Sequence, residues 1–167
     1  MRKPGVLLVL TTTAVLTSGC FPYYPAPCPA IAQASAVSLT VAADYVATVR
    51  TLHLKACQDG SCKEADLELF PGSVAVDQGC EPGPYGPGGV CSATSSPDGT
   101  MRGTLMLDIL TESPMELTAT GTATDRSPLP ARMLDFTPRG VYPFGERCGR
   151  FLTAAVVLDA AGLKQSG

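Results

Sequence analysis

The segment Cys62-Lys-Glu-Ala-Asp-Leu-Glu-Leu-Phe70 decides the fold class, because its apolar and charged residues alternate strictly. One face of an extended chain would carry Ala65, Leu67 and Leu69, and the other Glu64, Asp66 and Glu68. Successive side chains of a β-strand point to opposite faces. The pattern therefore predicts a half-buried antiparallel strand with its apolar face toward the core and its acidic face in water.

Six further segments have strand patterns. Residues 115–124 repeat the alternation with threonines on the polar face, and weaker patterns cover 37–43, 48–57, 103–110, 130–137 and 151–159. About seven strands at intervals near ten residues predict an all-β fold, a small antiparallel β-sandwich of immunoglobulin-like or transthyretin-like type. Gly121 lies within one of these strands, where a glycine marks a bulge or a close backbone approach.

Two segments do not fit the strand pattern. Residues 79–89 hold eight Gly or Pro in eleven positions, which predicts a loop. The alanine-rich stretch 30–36 is a candidate for a short helix that leads into the first strand.

The N-terminus has the features of a secretory signal. Arg2 and Lys3 precede an apolar run that is interrupted by threonines and is shorter than the roughly 20 residues of a membrane-spanning helix. The run ends in Leu16-Thr-Ser-Gly-Cys20, which resembles the lipobox of bacterial lipoproteins, although Thr17 stands where that motif prefers Leu. The resemblance implies that residues 1–19 are removed and that Cys20 carries a diacylglyceryl anchor with palmitate-like chains. The alternative is an ordinary cleaved signal followed by a disulfide cysteine.

Because an exported chain folds in an oxidising environment, the six cysteines other than Cys20 are expected to form three disulfides. Cys57 and Cys62 flank a four-residue turn, and Cys80 and Cys91 bracket the Gly/Pro-rich stretch. Each of these two pairs is therefore expected to form a disulfide, and Cys28 and Cys148 are expected to form the third. They lie just before the first and last strands, which often run parallel in immunoglobulin-like sandwiches, so that the two strands begin at the same end. The alternative is that Cys57 or Cys62 bonds to Cys148.

A resemblance extends over roughly residues 35–160. The motif Cys57-Gln-Asp-Gly-Ser-Cys62, followed by Val141-Tyr-Pro-Phe-Gly-Glu-Arg-Cys-Gly149, resembles small exported lipoproteins of high-GC Gram-positive, actinobacterial type. Those proteins are mostly uncharacterised sandwiches, so no catalytic residue is carried over. The resemblance implies an extracellular, lipid-anchored location on the cell membrane, or on the outer membrane or in the periplasm of a diderm host.

The chain is predicted to divide into four parts: a signal peptide 1–19, a lipidated and Pro-rich tether 20–34, a β-sandwich 35–160 and a tail 161–167. Loss of Arg2 and Lys3 leaves ten basic residues against 15 Asp and Glu, a net charge near −5. An acidic surface disfavours nucleic acid, so the membrane, reached through the anchor at Cys20, is the expected partner together with an envelope protein.

Little in the chain points to catalysis, a metal or a cofactor. His53 is the single histidine, and it is expected to face solvent beside Lys55, the alternative being a base in an envelope hydrolase. The acidic face 64–68 is interpreted as solvated, with a calcium site as the alternative. Met101, Met106, Met115 and Met133 are interpreted as core filling, with a copper(I) carrier as the alternative.

Exposed aromatic residues are the candidate interaction sites. Tyr23 and Tyr24, next to Phe21, lie in the Pro-rich tether, and Tyr85 lies in the Gly/Pro-rich stretch. Aromatics in exposed segments favour recognition, while a plain spacer or contact with lipid headgroups is the alternative for the tether. The sequence thus predicts a non-catalytic, lipid-anchored binding or accessory module without a cofactor.

Overall fold

The computed structural model describes residues 27–83 and 86–166, with 81–83 and 86–89 described by their backbone. This part of the chain is all-β, and its strands form two sheets of a sandwich, as the alternation predicts. The strands are β1 Ala36–Val41, β2 Val49–Gln58, β3 Ser61–Leu67, β4 Phe70–Gly83, β5 Gly86–Met106, β6 Met115–Ala123, β7 Arg132–Phe136, β8 Arg139–Val141, β9 Phe151–Asp159 and β10 Gly162–Gln165. Two 3₁₀ turns, Val46–Thr48 and Glu146–Cys148, complete the described elements.

The two sheets differ in how their strands are paired. One sheet has the order β10-β9-β1-β5-β4, with β8 beside β9, and the other has the order β3-β2-β6-β7. β1 pairs antiparallel with β5 but parallel with β9, where Val37 lies opposite Ala154. The first strand and the long last strand therefore begin at the same end of the sandwich, as an immunoglobulin-like order predicts.

Three disulfides join Cys28 to Cys148, Cys57 to Cys62 and Cys80 to Cys91. These are the three pairs that the strand order predicts. We call the end that holds the Cys28–Cys148 bond and the starts of β1 and β9 the N-terminal pole. The opposite end of the sandwich is the arm pole.

The core lies between the sheets and is built from alternate residues of the central strands. Leu39, Leu54 and Leu117 are fully buried there. Because the intervening residues face outward, each strand contributes every second side chain, which is the period that the sequence shows. Burial of each leucine contributes about 1.5–3 kcal/mol relative to leaving it in water.

In the segment 62–70, the acidic residues face solvent and Leu67 faces the core as predicted, but the strand ends earlier than the alternation indicates. Leu67 is buried and Leu69 is half-buried, while the three acidic residues of 64–68 are exposed. Ala65 is exposed, contrary to the expectation, and it lies on β3, the edge strand of its sheet, where the facing sheet gives less cover than over the central strands. The strand stops at Leu67, and Phe70 already begins β4.

The prediction of a loop at 79–89 is wrong for the described residues 79–83 and 86–89. β4 and β5 form one long hairpin that pairs from Phe70 opposite Arg102 to Gly83 opposite Gly86. The pairing shifts register at three places along this hairpin. Such irregularities accommodate glycine and proline, which are disfavoured in a regular β-ladder. The Cys80–Cys91 bond then holds the two strands together within the Gly/Pro-rich stretch.

Three smaller differences concern the ends of the domain and its strand count. Residues 30–35 have no regular structure, so the short helix is absent from them. Residues 162–165, assigned above to the tail, form β10 on the outer side of β9. With β4, β8 and β10, the described strands number ten rather than about seven.

Gly121 has the role that its position predicts. A Cβ atom built there would lie 2.1 Å from the main-chain carbonyl oxygen of Thr51. The pairing of β2 with β6 shifts by one residue between Val49 and Thr51, directly beside this contact. The glycine therefore allows the bulged strand to approach closely.

Candidate functional site

The most distinctive feature of the surface is the outer part of the β4–β5 hairpin, residues 73–83 and 86–97, which we call the arm. The side chains of residues 73–80 and 90–95 are exposed, and Val90 is 80% exposed. Eleven residues at about 3.3 Å each give the arm a length of roughly 35 Å beyond the sandwich. It leaves the domain at the arm pole, past the pair Pro71–Met101.

The register gives the two faces of the arm different chemistry. Val74 lies opposite Ser96 and Val76 opposite Thr94, so β-branched side chains share one face. The other face carries smaller residues, with Ala75 opposite Ser95. Because an apolar stripe on a ribbon gains from being covered, the valine face is the surface that a partner would bury.

Both edges of the arm offer unpaired backbone groups. β5 pairs with β1 only from Met101 to Met106, and the outer edge of β4 has no neighbour in the described sheets. An edge of this kind presents a row of N–H and C=O groups on which another strand can pair.

The base of the arm is fixed by a carboxylate. The Asp98 side chain accepts hydrogen bonds from the Thr100 main-chain nitrogen at 2.9 Å and from the Thr100 hydroxyl at 2.6 Å, and Arg102 donates to it at 3.0 Å. The Thr100 hydroxyl, followed by the Thr100 main chain and Arg102, lowers the pKa of Asp98. Gly72 is required beside this cluster, because a Cβ there would lie 2.0 Å from the Thr100 hydroxyl.

The charge along this part of the chain has one sign. From residue 64 to residue 101 there is no Lys or Arg, while six acidic residues occur, two of them, Asp77 and Glu81, within the arm. Arg102, the first basic residue after this stretch, forms an ion pair with Asp98 at the base of the arm. The arm is an acidic ribbon with an apolar stripe.

His53 lies where the sequence places it, on the outer face of β2 between the buried Leu52 and Leu54. Its Nδ1 atom is 2.9 Å from a carboxylate oxygen of Asp66, and its side chain is 38% exposed. Among the described hydrogen bonds none joins this imidazole to a hydroxyl or a thiol. The partner Asp66 was missed, although the tight turn between Cys57 and Cys62 fixes a register that puts the two residues opposite each other.

The other candidate ligands do not come together. Within residues 27–83 and 86–166, no group of three or more His, Cys, Asp or Glu side chains is arranged to hold a metal ion. Met115 is buried and Met101 is partly buried, as core filling requires. Met106 and Met133 are exposed, so the core interpretation is wrong for these two.

Two grooves open at the ends of the sandwich. The one at the arm pole has a volume of about 470 Å³ and lies between Val41, Leu67 and Met101, with Arg50 at its rim. The other, about 300 Å³, lies at the N-terminal pole beside Lys63 and Ile109. The second groove holds a hydroxyl beside a carboxylate, since Thr111 Oγ1 donates to Asp59 Oδ2 at 2.7 Å. The single histidine, His53, lines neither groove.

The tether and tip candidates lie outside the described residues. These are Cys20, Phe21, Tyr23, Tyr24 and Tyr85, and the signal peptide 1–19 lies outside as well. In the sequence, Tyr85 follows the described end of β4 and precedes the described start of β5.

Comparison with known proteins gives no relative. No family model, no curated protein and no solved structure matches the chain. The described residues contain no helix long and apolar enough to cross a membrane. Three disulfides indicate an oxidising, non-cytoplasmic location, because thiols in the cytosol are kept reduced.

Proposed function

We propose that the protein is an exported, non-catalytic binding module of the cell envelope, held to the membrane by acyl chains on Cys20 and binding an envelope protein through its arm. The observation that carries this proposal is the arm itself. A ribbon of roughly 35 Å whose described side chains, at 73–80 and 90–97, are almost all exposed contributes little to the stability of the sandwich. Its exposed valines and free edges are instead suited to binding.

The chemistry of the arm selects the kind of partner. An extended polypeptide segment can pair with a free strand edge, and side chains of alternate residues then cover the valine stripe. Because the arm carries Asp77 and Glu81 and no basic residue, a segment with Lys or Arg complements it. The partner is therefore an envelope protein that presents an extended basic segment.

The anchor is supported by the sequence and by the position of Cys28. The lipobox-like ending Leu16-Thr-Ser-Gly-Cys20 precedes a short Pro-rich tether, which enters the domain at the N-terminal pole through Cys28. The arm leaves from the opposite pole. A chain held in this way extends its binding element away from the bilayer.

Site-specific crosslinking tests the binding role. A photoreactive amino acid is introduced at Val76 on the arm and, as a matched control, at Met133, which is also exposed but lies on β7. In the producing cells, position 76 should give a discrete adduct and position 133 should not. Mass spectrometry should map the adduct to an extended segment with basic residues, and Asp77→Lys should weaken it.

Equal adducts at both positions, or no discrete adduct at position 76, would refute the role of the arm. An adduct that maps to a folded acidic surface would refute the proposed class of partner.

The anchor has its own test. Cys20→Ala should abolish acyl labelling and release the protein from the membrane fraction, or leave it uncleaved, because no thiol remains to carry the lipid. The control Ser18→Ala keeps a small residue before the cysteine and should be processed as before. Normal processing and membrane retention of Cys20→Ala would show that Cys20 is not the anchor.

A further inference from the structure

We infer that the N-terminal pole is a membrane-contact surface, which rests on an anionic bilayer and holds the arm upright. This inference rests on the proposed anchor at Cys20 and goes beyond it, because it assigns a lipid-binding role to the folded domain. Its basis is where the exposed apolar side chains of the sandwich lie.

Large exposed apolar residues collect at this pole. Six of the large exposed apolar side chains in the described residues lie there, and the others are the arm valines, Phe70 and Met133. The six are Ile31, Met106, Ile109, Val141, Tyr142 and Phe144. The pairing places them together: Met106 lies opposite Ala36 at the start of β1, and Val141 lies opposite Phe151 at the start of β9. Ile109 is 72% exposed in the loop that follows β5.

The segment that carries most of this surface is structured. The ring of Phe144 packs edge-on against Phe151, with centroids 6.0 Å apart. The Tyr142 carbonyl accepts a hydrogen bond from the Gly145 nitrogen at 3.1 Å, and Arg150 forms an ion pair with Glu112. The Cys28–Cys148 bond closes the segment onto the tether. The apolar groups are therefore presented by a fixed scaffold at low entropic cost.

The polar groups of the segment suit lipid headgroups. Residues 139–151 carry three arginines and one acid, Glu146, in a chain that is acidic overall. Arg139 and Arg147 are exposed and form no ion pair within the described residues. Basic residues beside a bilayer are attracted to anionic lipids, and aromatic rings favour the headgroup level.

The tether brings this pole to the bilayer. Cys20 and Cys28 are separated by about eight residues, which span at most roughly 28 Å when fully extended. Phe21, Tyr23 and Tyr24 occupy the same short stretch. The N-terminal pole is thus the first part of the domain that an anchored chain brings to the lipid, and the acidic arm is the last.

Tryptophan fluorescence tests the inference directly, because the chain contains no Trp. Phe144→Trp places a single reporter in the surface, and Val74→Trp places a matched reporter on the arm. Protein extracted from the producing membrane is reconstituted into vesicles of equal parts phosphatidylglycerol and brominated phosphatidylcholine. The reporter in the surface should emit at shorter wavelength and be quenched severalfold more strongly than the reporter on the arm, and Arg139→Gln with Arg147→Gln should reduce that difference.

The mass of the N-terminal peptide first shows whether the protein is acylated. In acylated protein, equal quenching of the two reporters would overturn the inference. If that mass shows no acyl group, the proposed anchor fails. The same two reporters are then compared after the Cys20 thiol is coupled to a maleimide lipid in these vesicles. Stronger quenching of the surface reporter would still support the membrane-contact surface, and equal quenching would still overturn it.

Discussion

Removal of the Cys28–Cys148 bond should destabilise the protein more than removal of the Cys57–Cys62 bond. A disulfide acts mainly by restricting the unfolded chain, and the restriction grows with the length of the loop that it closes. The first bond joins residues 120 positions apart, and the second joins residues 5 positions apart. The chain-entropy relation gives about 5 kcal/mol for the first and about 2 kcal/mol for the second.

Urea unfolding of two double variants measures this difference. Cys28→Ser/Cys148→Ser and Cys57→Ser/Cys62→Ser each lose one bond and keep the other two, and far-ultraviolet circular dichroism follows the transition. With a urea dependence of about 1–3 kcal/mol per molar, a loss of about 5 kcal/mol lowers the midpoint by roughly 2 M or more. If the two variants lose the same free energy of unfolding, the long bond does not act through the unfolded chain and this reasoning fails.

Two further predictions concern Gly121 and Asp98. Gly121→Ala should lower the free energy of unfolding by about 1–3 kcal/mol, because the new Cβ would meet the rigid carbonyl of Thr51. Gly103→Ala should lower it less, because its Cβ would meet flexible leucine side chains. Thermal unfolding compares the two variants, and an equal loss of stability would contradict the close approach at Gly121. Asp98 should titrate below its ordinary pKa. Its ionised carboxylate then stabilises the folded protein at pH values above the pKa of Asp98 in the unfolded chain, and this stabilisation is lost as the pH falls through its lower pKa in the folded protein. Thr100→Val should raise that pKa in an NMR titration, and an unchanged value would show that the hydroxyl bond has no effect.

Much of the sandwich was predictable because alternation is a local signal. The last long strand is predicted over 151–159 and is observed there. Its residues form a nearly continuous apolar run, and every second one, Ala154, Val156 and Leu158, is buried. The disulfide pairs followed once the order of strands was set. Burial at an edge was not predictable in this way: Ala65 has the correct face, but only the position of β3 in the sheet shows that nothing covers it.

The arm shows where a local signal fails. Glycine and proline in 79–89 favour turns, and no alternation of apolar and polar residues marks strands there. The pairing depends on register shifts and on Cys80 opposite Cys91, which are long-range features. The apolar N-terminal pole was missed for the same reason, because Met106 and Phe144 are brought to one end of the sandwich only by the strand topology.

The antiparallel pairing of β1 with β5 also determines how the domain carries a mechanical load. In the proposed arrangement, a pull on the arm would act on β5 at its Met101 end, and the anchored tether would resist at the Ala36 end of β1. The force then runs along the two strands, in shear, while the hydrogen bonds between them lie across it. All the bonds from Ala36–Met106 to Val41–Met101 share the load at once, so they cannot open one after another. In this geometry the domain would resist extension between the proposed anchor and the proposed partner of the arm.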